Sequence, residues 1–182
     1  MSSELLQQVR VIDPVSNTDR VTDVLIADGM VQAMGDAIAD SSDATEVQDC
    51  RGLVLGTGLV DLYSHSGEPG FEERETLQSL LQAASAGGFT RIAILPDTKP
   101  AIDNPSSVAW VQGEVRGEGR ERRAGGEHSH ASYPTPDSRL PSPHLYCWGG
   151  LTLNVQGQQM TELSELAATE IVGFADGRSL TS

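Results

Sequence analysis

The feature that most constrains the fold of this chain is a succession of apolar run, amphipathic helix and apolar run between residues 53 and 95. The two runs cover residues 53–62 and 92–95, and the continuous run over 92–95 is typical of a strand buried on both faces of a parallel sheet. Between them, apolar side chains recur at i, i+3, i+4 and i+7, which predicts a helix with one apolar face formed by Leu77, Leu80, Leu81 and Ala84. The order strand, helix, strand predicts a βαβ unit of an α/β fold.

The ends of this helix are predicted from charge and from glycine. Glu72, Glu73 and Glu75 fall in its expected first turns, where carboxylates favour the positive end of the helix dipole. Gly87 and Gly88 predict its last turn, because glycine supplies a left-handed cap at low cost.

Polar side chains with possible chemistry lie where the first strand ends. Because side chains on a strand alternate between its two faces, Asp61, Tyr63 and His65 are predicted to share one face. A strand that ends in Asp-x-His-x-His at the mouth of an α/β barrel offers two imidazoles to one metal ion. The first of these two positions holds Tyr63 in this chain, so the strand offers one imidazole.

This stretch resembles the dihydroorotases, members of the amidohydrolase superfamily with allantoinases and hydantoinases as close relatives. The family signature reads roughly Gly-Leu-Val-Asp-x-His-x-His-x-Arg-Glu-Pro-Gly, then a helix, a strand and Met-Pro-Asn-Thr-x-Pro-x-Ile-Asp-Asn. The chain matches it in register at Gly58, Leu59, Val60, Asp61, His65, Glu68, Pro69, Gly70, Pro96, Thr98, Pro100, Ile102, Asp103 and Asn104. A second match is the Thr-Glu-x-x-Glu-Leu helix at 161–166, followed by a strand that runs into Ala175-Asp176-Gly177.

The resemblance implies the fold class. We expect an α/β protein with an incomplete TIM-type barrel of about the first four strands, preceded by a small β-rich segment. A closed barrel takes about 250 residues, whereas this sequence has 182. The expected organisation is a β-rich segment over 1–52, half-barrel βαβ units over 53–112, a disordered or low-complexity insert over 113–143, and further barrel strand, helix and strand over 144–182.

Elements outside the first βαβ unit follow from local patterns. Strands are expected at 9–13, 21–27 and 30–34, with a tight hairpin turn at Asp28-Gly29. After the insert, a strand is expected at 145–153, a helix at 160–169 and a strand at 171–174. His128 and His130 form a second His-x-His pair within the insert, where they are expected to be surface polar residues.

The family resemblance also implies a metal site that this chain lacks in large part. Family members hold two zinc ions with the histidine pair, a carboxylated lysine, two later histidines and an aspartate. Tyr63 stands at the first histidine position, and the lysine position falls at Leu153. Lys99 is the only lysine in the sequence and lies elsewhere. His65 therefore remains as a vestigial metal residue, with a hydrogen-bonded strand-end histidine as the structural alternative, and we expect no zinc to be bound.

The substrate positions implied by the resemblance are changed too. Gly67 occupies the place of an arginine that would bind the substrate carboxylate, and Asp97 occupies the place of an asparagine. Asp97 is therefore the candidate substrate-binding residue, although its charge would repel a carboxylate. Glu68 is retained and is explained equally well by a solvated loop or by a carboxylate leading the next helix. Asp61 is expected to bind the local backbone.

Composition limits the partners and the compartment. The formal net charge of −14 argues against nucleic acid and anionic membranes, because both would be repelled. Cys50 and Cys147 form no Cys-x-x-Cys motif, so reduced thiols are expected. The sequence shows no signal-peptide core and no membrane span, and we expect a cytoplasmic location.

Three interpretations of function stay open at the level of sequence. The first is a cyclic amidohydrolase of pyrimidine biosynthesis, acting on dihydroorotate or carbamoyl-aspartate with zinc. The second is a catalytically inactive homologue that serves as a structural partner of aspartate carbamoyltransferase or as a homo-oligomer. The third is a remnant without a function. The substitutions at Tyr63, Gly67 and Leu153 weigh against the first, so enzyme activity is undecided.

Overall fold

A computed structural model describes residues 3–36, 38, 46–116 and 142–177. The chain divides into two compact units, Met1–Thr57 and Gly58–Ser182. His128, His130 and most of the insert predicted over 113–143 lie outside the described residues. No helix within the described ranges is long and apolar enough to cross a membrane.

The first unit is a five-stranded sheet built around its first strand. The strands are β1 (Ser3–Asp13), β2 (Thr18–Ala27), β3 (Met30–Gly35), β4 (Glu46–Asp49) and β5 (Val54–Gly56). β1 pairs antiparallel with β2 and parallel with both β4 and β5, while β3 lies outside β2. The predicted hairpin turn is confirmed, because Asp28 and Gly29 both have positive φ, at 52° and 74°.

The apolar run over 53–62 forms two strands, whereas the sequence predicts one. Its start forms β5 in the first sheet, and its end forms β6 (Leu59–Ser64) in the second unit. The break falls at Gly56-Thr57-Gly58, so the boundary between units lies after Thr57 rather than after residue 52. The backbone at Gly58 lies close to the next strand, because an added Cβ atom there would overlap the side chain of Thr90. Leu59, Val60 and Leu62 of β6 are each more than half exposed.

The second unit is the predicted half-barrel. Its elements after β6 are α1 (Leu77–Ala86), β7 (Phe89–Ile94), α2 (Pro105–Arg116), β8 (His144–Gly150), α3 (Leu163–Ala167) and β9 (Ile171–Ala175). The four strands pair in the order β6-β7-β8-β9, and every pair is parallel. The α/β class and the incomplete barrel of four strands are thereby confirmed.

Helix α1 has the predicted apolar face but a later start. Leu77, Leu81 and Ala84 are buried and Leu80 packs against them. The three glutamates do not lie in the first turn, because the helix begins at Leu77 and Thr76 caps it, with its hydroxyl accepting a hydrogen bond from the Ser79 N–H at 3.1 Å. Gly88, with φ of 78°, ends the helix as predicted.

The elements after α1 are shorter or longer than their patterns predicted. α2 continues to Arg116, so the first residues of the predicted insert are helical. β8 ends at Gly150 rather than at 153, and the helix predicted over 160–169 is the short α3. Helices α1, α2 and α3 cover one face of the sheet. The core between them and the sheet is formed by Leu77, Ile94, Ile102, Val108, Val111, Cys147 and Leu166.

Cys147 in this core should make the protein sensitive to alkali. Burial raises the pKa of its thiol from 9.0 to about 12. Above pH 9 the unfolded chain releases this proton while the folded chain keeps it, so stability falls as pH rises from 9 towards 12. Between pH 8 and pH 10, we expect the free energy of unfolding to fall by about 1.4 kcal/mol more than in Cys147→Ala. Urea unfolding at both pH values measures this difference, and parallel pH dependences of the two proteins would contradict the prediction.

Candidate functional site

The carboxyl ends of the four parallel strands lie at the same end of the sheet, and the candidate residues follow them there. His65 follows β6, Asp97 follows β7, Thr152 follows β8 and Asp176 follows β9. Catalytic groups of α/β barrels come from this end of the strands, because the loops there converge on one mouth. The described structure therefore places the candidate site where the fold class predicts it.

Asp61 is committed to its own strand end. Its Oδ1 accepts a hydrogen bond from the Tyr63 N–H at 2.8 Å, and its Oδ2 accepts one from the Ser64 hydroxyl at 2.9 Å. The predicted use of this carboxylate for the local backbone is confirmed. Two oxygens occupied in this way leave Asp61 with a structural role.

His65 and Asp97 form the central pair of the site. The imidazole Nδ1 lies 3.5 Å from the Asp97 Oδ1, and the two side chains are partly exposed. The Tyr63 ring meets the imidazole edge-on, with ring centroids 5.9 Å apart and planes at 85°. His65 thus has a carboxylate on one side and an aromatic ring on another, where a second imidazole would be expected in a metal site.

The side chains that the structure describes do not fit a zinc ion. Leu153, at the lysine position, lies in a 3₁₀ turn (Leu153–Val155) after β8 and has no donor atom in its side chain. Within the described ranges, no group of three or more histidine, cysteine, aspartate or glutamate side chains could hold a metal ion. A zinc site needs three or four such ligands, held before the metal arrives.

Gly67 stands at the implied arginine position and has no room for a side chain. A Cβ atom there would lie 2.6 Å from the Glu75 carbonyl oxygen and 2.8 Å from that of Phe71. The Phe71 N–H also donates to the Gly67 carbonyl oxygen at 2.6 Å, which folds the loop back on this residue. The backbone of residues 67–75 therefore fills the space that an arginine side chain would need.

Glu68 is a buried helix-leading carboxylate. It is only 4% exposed, and its Oε2 accepts a hydrogen bond from the N–H of Leu77, the first residue of α1, at 2.8 Å. A carboxylate at this place favours the positive end of the helix dipole. Of the two explanations for its retention, the solvated loop is wrong and the helix-leading role fits.

Two further carboxylates were missed as loop anchors by sequence reasoning. Asp176 accepts hydrogen bonds from both the N–H and the hydroxyl of Thr152, each at 2.8 Å. Asp103 accepts one from the Asn154 N–H at 2.8 Å, across 51 positions of sequence. Asp103 and Asp176 both lie in the matched motifs, so the sequence marked them as candidates. The motifs do not show which backbone N–H groups their carboxylates bind. These carboxylates fix the loop after β8.

Comparison with protein families and curated proteins agrees with the signature. Residues 52–124 match the family described as dihydro-orotase-like. A probable dihydroorotase-like protein of Synechocystis sp. is 35% identical over 99% of this chain and 41% of its own length. A dihydroorotase of Solibacter usitatus is 42% identical over 62% of this chain and 26% of its own length. The chain thus spans less than half of the length of these relatives.

Solved structures share the fold. An L-hydantoinase (dihydropyrimidinase) from Arthrobacter aurescens superimposes with a TM-score of 0.62 at 23% identity, over 96% of this chain and 32% of its own. A D-hydantoinase superimposes with a TM-score of 0.57 at 14% identity, over 94% of this chain and 32% of its own. Sequence motifs, curated relatives and fold agree: over residues 52–124 the chain is similar to the dihydro-orotase-like family.

Proposed function

We propose that this chain is a dihydroorotase-like protein of pyrimidine biosynthesis that does not hydrolyse dihydroorotate by itself. The observation that carries the proposal is the pairing of His65, the one imidazole at the implied ligand positions, with the Asp97 carboxylate. Tyr63 and Leu153 stand where two further ligands are implied. In the family, zinc activates the water that attacks the cyclic amide, and the described side chains here give that metal no site.

The substrate side of the site supports the same proposal. An arginine binds a carboxylate through two parallel charge-assisted hydrogen bonds, and Gly67 offers neither. The Asp97 carboxylate lies beside the same mouth and opposes the negative charge of a dihydroorotate or carbamoyl-aspartate molecule. The substitutions at the substrate positions and at the metal positions therefore support the same proposal.

Metal content and turnover of the purified chain test this proposal. We expect far less than one zinc ion per chain by elemental analysis, and no hydrolysis of dihydroorotate above the uncatalysed rate after zinc is added. The Solibacter usitatus dihydroorotase, assayed in parallel, controls for the substrate and the metal stock. One or two zinc ions per chain together with turnover would overturn the proposal.

The proposed biological role is that of a non-catalytic structural partner of aspartate carbamoyltransferase in the cytoplasm. Its support is that the packing residues of the half-barrel are kept in a continuous core while the reacting positions are substituted. A tagged chain should co-purify with aspartate carbamoyltransferase, and Tyr63→Phe should co-purify equally because no chemistry is needed. Absence of binding by both proteins would reject the partner role and leave a homo-oligomer or a remnant as the remaining interpretations.

A further inference from the structure

Strand β6 carries a bulge just before the candidate site. Asp61 pairs with Ile92 of β7, and the next paired position joins Ser64 with Ile94. Between these two positions β6 therefore has one residue more than β7. An extra residue of this kind is a β-bulge, which changes the side of the sheet to which the following side chains point.

The bulge decides which side chains at this strand end share a face. The partners of Asp61 and Ser64 on β7 lie in the core under the helices, and the Ser64 hydroxyl donates to the Asp61 carboxylate on that side. Tyr63 and His65 flank Ser64 and their rings contact each other, so both turn to the opposite, concave face of the sheet. Asp61 therefore does not share their face, contrary to the prediction from strict alternation.

The Trp148 indole reaches this bulge from two strands away. Its N–H donates to the Leu62 carbonyl oxygen at 2.8 Å, although β7 lies between β8 and β6. Two such strands are about 9.6 Å apart in a flat sheet, so a side chain spans them only across a concave face. Cys147, the residue before Trp148, lies in the core under the helices, which places the indole on the concave side with Tyr63 and His65.

The other end of the indole lies against a glycine of β9. A Cβ atom at Gly173 would lie 2.8 Å from the Trp148 Cζ3 and 3.4 Å from its Cε3. Gly173 does not have a positive φ, so its close contact with the ring, rather than its backbone conformation, disfavours a side chain there. The indole is thus fixed between β9, which contacts its six-membered ring, and β6, which accepts its N–H.

From these contacts we propose that Trp148 is a positioning residue of the candidate site: its indole holds the β6 bulge that turns Tyr63 and His65 to the concave face. The inference goes beyond the proposed function, because it concerns how these side chains are presented and holds whether or not zinc binds. A tryptophan that only stabilised the fold would contribute to the free energy of unfolding but would leave the contact between Tyr63 and His65 unchanged in the folded protein.

Nuclear Overhauser effects between the Tyr63 and His65 rings separate these two roles. Trp148→Phe keeps an aromatic ring and removes the N–H, so we expect the effect seen in the wild type to be lost. Trp110→Phe is the matched control, since Trp110 lies on α2 and is 37% exposed, and it should keep the effect. An effect that persists in folded Trp148→Phe would overturn the inference.

Gly173→Ala tests the same contact from the other side. The added methyl group overlaps the six-membered ring and displaces the indole without changing Trp148 itself. We expect this variant to lose the effect between Tyr63 and His65 as well. A folded Gly173→Ala protein that retains the effect would overturn the inference.

Exchange of the Trp148 indole proton in heavy water is an independent measurement that needs no variant to fold. We expect exchange about tenfold slower than in N-acetyltryptophanamide, because the hydrogen bond to Leu62 must open first. Equal exchange rates would overturn the inference, whatever the zinc and turnover assays of the proposed function give.

Discussion

Replacing Gly70 with alanine is expected to lower the free energy of unfolding by about 4 kcal/mol. Gly70 has φ of 103°, which a residue with a side chain adopts only under strain. An added Cβ atom would also overlap the Lys99 carbonyl oxygen and lie 2.7 Å from the Lys99 Cβ. The Lys99 N–H donates to the Pro69 carbonyl oxygen at 3.0 Å, so the two loops cannot separate without losing this bond.

Gly88→Ala is the matched control for this prediction. Gly88 also has a positive φ, at 78°, but an added Cβ atom would meet nothing within 4 Å. The free energy of unfolding of Gly88→Ala should therefore fall by about 1 kcal/mol, which is the cost of the backbone conformation alone. Urea unfolding followed by tryptophan fluorescence reports both variants, because Trp110 and Trp148 lie in the same unit as the two glycines. Equal losses would contradict the close approach of the loops at Gly70.

Replacing Glu68 with leucine is expected to lower the free energy of unfolding by about 3 kcal/mol. The carboxylate is buried, and its bond to the Leu77 N–H satisfies one of the donors that a helix leaves open at its start. Leucine removes the acceptor and leaves this N–H buried without one. The start of α1 then loses both the hydrogen bond and the favourable charge at the positive end of its dipole.

Glu68→Gln separates these two contributions. Glutamine keeps an oxygen acceptor of the same shape, so only the charge is lost and we expect a decrease of about 1 kcal/mol. The same fluorescence-detected unfolding measures both variants. If leucine and glutamine cost the same, the hydrogen bond to α1 contributes little and the proposed role of Glu68 is wrong.

The parts of the fold that the sequence predicted are those with a strong local signal. The apolar stripe of α1 and the turn at Asp28-Gly29 depend on neighbours in the chain, and both are confirmed. The run over 53–62 was misassigned because apolar composition does not distinguish one strand from two strands in different sheets. The start of α1 was misplaced because charge at Glu72, Glu73 and Glu75 imitates a first turn, whereas the cap at Thr76 decides it.

The candidate site was predictable in position but not in contacts. The signature placed His65, Asp97 and Gly67 at the mouth, since the family resemblance fixes their order along the strands. The pairing of His65 with Asp97, and the hold of Asp103 on Asn154, depend on distances between loops that are far apart in sequence. The missing space at Gly67 depends on the path of the backbone after it, which no residue pattern describes.

The lack of room for a side chain at Gly67 has a consequence for which substitutions the chain tolerates. Exchange of Tyr63 for histidine needs only one side chain to be replaced, because Tyr63 is more than half exposed. Exchange of Gly67 for arginine meets the carbonyl groups of Phe71 and Glu75, so it destabilises the protein unless the loop has first taken another path. The exchange at Gly67 therefore requires a different path of the loop over residues 67–75, whereas the exchange at Tyr63 requires no change of the backbone.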